Sequence, residues 1–393
     1  MFKPFSFART PNLVFGKYSL KKLDQITASL GKKVLLIYHP SFEEMEIGKK
    51  TLAELDDIEV EIIKFVTEEE ASPEVIDACR KEHKAAGIDG VVAIGDDNIL
   101  NIGKALSAML SLPEENEFSV EDYIDGVGLK KHPGTKIPFI CVPSSFCGGL
   151  MSSSYAIITK RGKFGFTKAF NHDNFVPDHV IIDTDLFEED MENARLFALN
   201  ILAQLLESFV SPHSNVMTDR FALTGFQYLK PLLSRPLDTV TPQEIKSNLA
   251  YVSYIAGMCQ SNAGWGTTFC LTTAVDSVME TDRVKVNTTF FANTHSATIE
   301  RLRKGELGHK VTLAKYGQIA KIFVDNPKLT GDYLVNSLID KLENFTDECG
   351  VPRLSEYGIG EEHIDQIAKR TSNRYNPADL SRKELAAIIK SRI

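Results

Sequence analysis

Short apolar runs alternate with amphipathic stretches through the first half of the chain. The runs KVLLIYH (33–39), VEIIKFV (60–66), GVVAIG (90–95), PFICVPSS (138–145), YAIITK (155–160) and HVIIDT (179–184) predict strands. Between them, stretches such as SPEVIDACRKEHKAAG (72–87) carry helical spacing. Strand and helix in alternation predict an α/β layered domain with a largely parallel sheet. Beyond DTDLFEED the texture changes. Strand-like runs vanish, and long helical patterns cover 193–210, 216–234, 243–262, 310–323 and 331–348. The boundary is placed near residue 185, giving an α/β domain over 1–185 and a helical domain over 186–393. No internal repeat or low-complexity tract interrupts either half.

A length of 393 residues allows two domains with ample cores. The formal net charge of -9 argues against non-specific nucleic-acid binding and against docking on anionic membranes. No apolar stretch reaches the length of a membrane span. The opening MFKPFSFARTPNLVFG lacks a signal-peptide pattern. Cys79, Cys141, Cys147, Cys259, Cys270 and Cys349 are scattered without CxxC spacing, as expected of reduced thiols in the cytoplasm.

One stretch carries the functional question. In VVAIGDDNILNIGKAL (91–106) an apolar strand meets a turn and then an amphipathic helix. Such a junction suits a phosphate, because free N–H groups and the helix dipole favour an anion. Yet the turn holds Asp96 and Asp97, whose carboxylates repel a phosphate. An Asp there also has a structural use, as a helix N-cap.

Taken together, an α/β half, a helical half and a series of landmarks resemble the iron-containing (group III) alcohol dehydrogenases, whose fold is shared with dehydroquinate synthase and glycerol dehydrogenase. The landmarks are LVFGKYSLKKL, VVAIGDDNILNIGKAL, ICVPSSFCGGLMSS, FVPDHVIIDTDL, ALNILAQLLESFVS, AGMCQSNAGWGTTFCLTTAV and the ending VPRLSEYGIGEEHIDQIAKR with NPADLSRKELAAII. They run through nearly the whole chain. The resemblance implies a Rossmann-like nucleotide domain, a helical metal domain, NAD(P) and Fe or Zn as cofactors, and a homodimer.

The same resemblance locates sites whose chemistry is changed. Where the family has a Gly-Gly-Gly-Ser turn, this chain reads Gly95, Asp96, Asp97, Asn98. The family's following Asp is Asn101, while its Lys is kept as Lys104. Gly95, Lys104, Ser144 and Ser145 are what is left of the cofactor site. His39 and Pro40 stand where the family often has an acidic residue for the ribose. The family's Asp and His, four residues apart on one helix face, become Asn200 and Gln204. Its third ligand position is Phe269, a neighbouring His is Thr273, and the last ligand falls at or near Arg283, followed by Val284 in place of Gly. Amides, a phenyl ring and a guanidinium are no ligand set for Fe²⁺ or Zn²⁺.

Two readings follow. In the first, the chain is a degenerate or repurposed homologue with no metal or dinucleotide cofactor, binding a small polar or anionic molecule in the interdomain cleft as a homodimer or beside an active paralogue. Asn200, Gln204 and Arg283 would then form either a ligand pocket or a self-satisfied network. In the second, it is an active NAD(P)-linked, metal-dependent oxidoreductase. Other candidates are an Asp276, Glu280 and Asp282 cation cluster, His213, His295 and the thiol of Cys147. Cys259 and Cys270 are expected in the core, and Trp265 is expected to pack between helices.

Overall fold

The computed structural model describes residues 4–113, 118–146, 148–162, 164–187, 193–305 and 309–393. The chain forms two compact units, Phe7–Glu189 and Asp190–Ile393, the latter taking in Met1–Ser6. The sequence pattern alone assigns those opening residues to the α/β domain.

In the α/β unit, β1 (Asn12–Phe15), β2 (Lys33–Tyr38), β3 (Glu61–Val66), β4 (Gly90–Gly95), β5 (Phe139–Pro143) and β8 (His179–Ile182) build one parallel sheet in the order β1-β8-β5-β4-β2-β3. Its central strands are buried throughout, which is why they read as unbroken apolar runs. The helices are α1 (Leu23–Ala28), α2 (Ser41–Glu44), α3 (Glu46–Asp56), α4 (Pro73–His83) and α5 (Asp97–Met109). Helix α5 lies close on the sheet: a Cβ on Gly103 would come within 2.5 Å of the Ala93 Cβ. Parallel layers with covering helices give the Rossmann-like half of the fold.

The strand expected at 155–160 forms but leaves the parallel sheet. β6 (Tyr155–Lys160) pairs antiparallel with β7 (Phe166–Asn171) in a separate hairpin. The sequence pattern misses β7, whose FTKAFN is interrupted by Thr167 and Lys168.

The second unit is helical, with α6 (Ala194–Val210), α7 (Val216–Ser234), α8 (Pro242–Ala263), α9 (Thr267–Asp276), α10 (Arg283–Arg303), α11 (His309–Phe323), α12 (Gly331–Glu348), α13 (Ile364–Arg370) and α14 (Arg382–Ser391). Helix α6 is apolar around most of its circumference and is buried along nearly its whole length, as expected of a central helix. Helix α8 starts sharply because Thr241 and Glu244 form a capping box and Pro242 opens the first turn. No helix among the described residues is long and apolar enough to cross a membrane.

Candidate functional site

In the α/β unit, the turn after β4 is closed by its own side chain. Asp96 is the N-cap of α5, and its Oδ1 accepts from the N–H of Asn98 at 3.1 Å and of Ile99 at 3.2 Å. Those are the donors a phosphate would use. Gly95 is also needed without a ligand, since a Cβ there would come within 2.6 Å of the Ile99 Cβ. Its carbonyl accepts from the Ser144 N–H at 2.9 Å, so Ser144, with Ser145 beside it, follows β5 directly alongside the turn.

The Lys104 ammonium is engaged within the protein. The residue is 1% exposed, and its ammonium donates to the carbonyls of Leu150 (2.7 Å), Ser153 (2.8 Å) and Tyr155 (2.9 Å) and to Ser153 Oγ (2.8 Å). One turn earlier, Asn101 Oδ1 accepts from the Ile157 N–H at 2.8 Å, while its Nδ2 is buried without an acceptor among the described residues. Both side chains therefore tie α5 to the approach and body of β6. His39 Nδ1 meets the Ser41 hydroxyl and N–H at the start of α2. Cys147 lies outside the described residues.

In the helical unit, Asn200 and Gln204 sit one turn apart on α6, 4% and 7% exposed. Asn200 is held by a residue the sequence reading passes over. Asn287 Nδ2 donates to Asn200 Oδ1 at 2.8 Å, and the Thr272 hydroxyl donates to Asn287 Oδ1 at 3.3 Å. Asn287 lies one turn beyond Arg283 on α10, a spacing that could have flagged it. The expected Asn–Gln–Arg network is therefore an Asn–Asn–Thr network. Among the described residues, Gln204 Oε1 is buried with no donor and Arg283 Nη1 is buried with no acceptor.

Phe269 packs its ring on Trp265 at 5.3 Å between centroids, and Trp265 in turn meets Tyr375 at 6.0 Å. The Thr273 hydroxyl turns back to the Cys270 carbonyl. Among the described residues, no three His, Cys, Asp or Glu side chains group as a metal site. The suggested acidic cluster is divided among structural tasks. Buried Asp276 accepts from the Thr281 N–H and hydroxyl, Asp282 caps α10 and pairs with Lys285, and Glu280 is exposed. Cys259 and Cys270 are buried.

Two buried titratable groups are missed or read differently by the sequence. Glu207, the acidic residue of LLES, accepts from the Thr268 N–H at 2.6 Å at the start of α9, with the N–H groups of Gly266 and Phe269 also turned to it. A Cβ on Gly266 would come within 2.6 Å of the Glu207 carboxyl, so the glycine makes room for it. Burial pushes Glu207 up to about 7. His295, a catalytic candidate by sequence, is buried with Nδ1 on the Tyr316 hydroxyl at 2.8 Å, and burial pushes it down to about 3.

The Glu207 shift has a measurable sign. Its folded value of about 7 lies above the ordinary 4.5, so the stabilisation of the protonated form is complete below 4.5 and is lost as pH rises to 7. Relative to Glu207→Gln, wild type should lose about 3 kcal/mol over that interval and then level off. Urea unfolding of both proteins across the range measures this; parallel curves would show that Glu207 titrates normally. His295 runs the opposite way, and the comparison of the two proteins removes its contribution.

Comparison with known proteins adds the following. The family model described as iron-containing alcohol dehydrogenase matches residues 10–184, and that of the family's C-terminal domain matches 197–393. An NAD-dependent methanol dehydrogenase of Bacillus methanolicus is 21% identical, the match covering 98% of this chain and 99% of that protein. An alcohol dehydrogenase of Thermococcus barophilus is 22% identical over 98% of each. Among solved structures, an archaeal halo-thermophilic Red Sea brine pool alcohol dehydrogenase superposes with a TM-score of 0.89 at 19% identity over 100% of both chains. The iron-containing alcohol dehydrogenase of Thermococcus thioreducens gives 0.82 at 20% identity, covering 98% of this chain and 99% of that one.

Proposed function

We propose that this chain, which belongs to the iron-containing alcohol dehydrogenase family, has left that family's metal-dependent hydride transfer and is a repurposed member that binds a small polar or anionic molecule. The observation that carries the reading is the amide pair at the family's first ligand position. Asn200 Oδ1 already receives Asn287 Nδ2 at 2.8 Å. The rest of the set fits a metal no better. Gln204 offers a neutral amide, Phe269 no donor atom, and Arg283 a positive charge.

The dinucleotide fits its turn equally poorly. The Asp96 carboxylate takes the N–H groups that would hold a pyrophosphate. The buried Gln204 Oε1 and Arg283 Nη1 support a ligand with a hydroxyl or N–H donor, an anionic group, or both. We assign the protein to the cytoplasm, consistent with the free thiols of Cys79, Cys141, Cys259, Cys270 and Cys349. Its assembly is proposed as a homodimer or a pairing with an active paralogue.

A second reading, an active NAD(P)-linked oxidoreductase, is supported by the relatives that match nearly the whole chain. Metal analysis by mass spectrometry, after expression with added iron and zinc, separates the two. Binding at physiological levels saturates a true site, so less than about a tenth of an equivalent is the expected result. Near one equivalent, tightly held, would overturn the proposal and restore the dehydrogenase.

A further inference from the structure

The helical unit contains a cavity of about 1090 Å³ that none of Asn200, Gln204, Phe269 or Arg283 lines. It opens beside the segment joining α6 to α7 and is walled on another side by α11. Its described lining holds one acidic side chain, Asp219, beside Lys315, Arg220, His213 and His309.

Lys315 Nζ enters from α11 and donates to the Phe209 carbonyl, the Ser214 hydroxyl and Asp219, each at 2.7 Å. That ion pair neutralises Asp219, the only acidic side chain among the described lining residues. Ser214 Oγ acts as acceptor toward the lysine, which leaves its own O–H free to donate. Arg220, exposed on the first turns of α7, feels the charge of Asp219 beside it but makes no close ion pair or side-chain hydrogen bond among the described residues. The imidazole of exposed His213 makes none among them either, and its ring is oriented edge-on by Tyr375 at 5.2 Å. Thr312 adds a further hydroxyl to the lining.

A guanidinium, an imidazole and two hydroxyls thus converge on one space whose single carboxylate is already held by the lysine. In a chain of net charge -9, an arginine at a concave wall whose nearby carboxylate is already held by a lysine is conspicuous. Guanidinium and hydroxyl donors match the several acceptor oxygens of a phosphate group. We propose that this cavity is a binding site for a phosphate-bearing small molecule, held by Arg220, His213, Ser214 and Thr312 over the Lys315–Asp219 pair. The site takes in His213 but is separate from Asn200, Gln204, Phe269 and Arg283, and it stands whether or not the proposed function holds.

Calorimetric titration of the full chain with inorganic pyrophosphate, and separately with ADP, tests it at constant ionic strength. Wild type is expected to bind, and Arg220→Ala and His213→Ala should each weaken binding by about tenfold or more. Both residues are exposed, so neither substitution endangers the fold. ADP binding tighter than pyrophosphate would assign the phosphate to an organic molecule; equal affinity would assign it to the free ion. Either outcome supports the site if the variants lose it. Absence of binding, or binding that Arg220→Ala and His213→Ala leave unchanged, overturns it.

Discussion

A triple variant, Asp96→Gly with Asp97→Gly and Asn98→Ser, should bind NAD⁺ at least about a hundredfold more tightly than wild type. From Gly95 onward its turn would read as the family's Gly-Gly-Gly-Ser. Two effects add. A carboxylate about 4 Å from a phosphate costs about 4 kcal/mol at the effective dielectric of a protein surface. Removing the Asp96 side chain also frees the N–H groups it now holds, those of Asn98 and Ile99 in wild type, to meet the pyrophosphate. The loss of the cap costs about 1 kcal/mol of stability, which Asp96→Ser alone should avoid. Calorimetry with NAD⁺ on the three proteins decides the matter. Unchanged affinity in the triple variant would show that the pocket beyond the turn has closed as well.

Lys104→Met should destabilise the protein by at least about 2 kcal/mol. Methionine keeps the length and apolar body of the side chain but not the ammonium. The carbonyls of Leu150, Ser153 and Tyr155 would then lose a shared donor in a place that water does not reach. The Ser153 hydroxyl can still donate to one of the Leu150 and Tyr155 carbonyls, so about two acceptors are stranded, each costing about 1–3 kcal/mol less whatever relaxation recovers. The removed charge gives back part of its own desolvation cost, which is why the lower end of the sum is expected. The midpoint of urea unfolding, followed in the α/β unit, measures the effect. A change below about 1 kcal/mol would mean that the three carbonyls find other partners.

These two sites also mark how far the sequence can be read. The strand–turn–helix around Gly95 is legible because apolar and amphipathic periods are properties of side chains, and Asp96 declares itself as a cap. The surroundings of Lys104 are not legible, because its partners are mostly main-chain carbonyls, which every residue carries alike. Sequence places it in a cofactor site; its ammonium is turned to the segment before β6. The same limit applies to β6, where periodicity identifies a strand but has no bearing on which strand pairs with it. In the helical unit, Asn200 and Gln204 are found through the family resemblance of ALNILAQLLESFVS. Asn287 is missed because a single amide in VKVNTT announces nothing until α10 packs it against α6.

The anchoring of α5 has a consequence for how the α/β unit opens. Lys104 grips the residues that lead into β6, and Asn101 holds the N–H of Ile157 within it. A two-stranded hairpin is marginal by itself in water. This one borrows its persistence from a helix seated on the parallel sheet. Amide protons of β6 should therefore exchange with solvent at the pace of β4 and α5, as one cooperative block, instead of fraying early as a peripheral ribbon would.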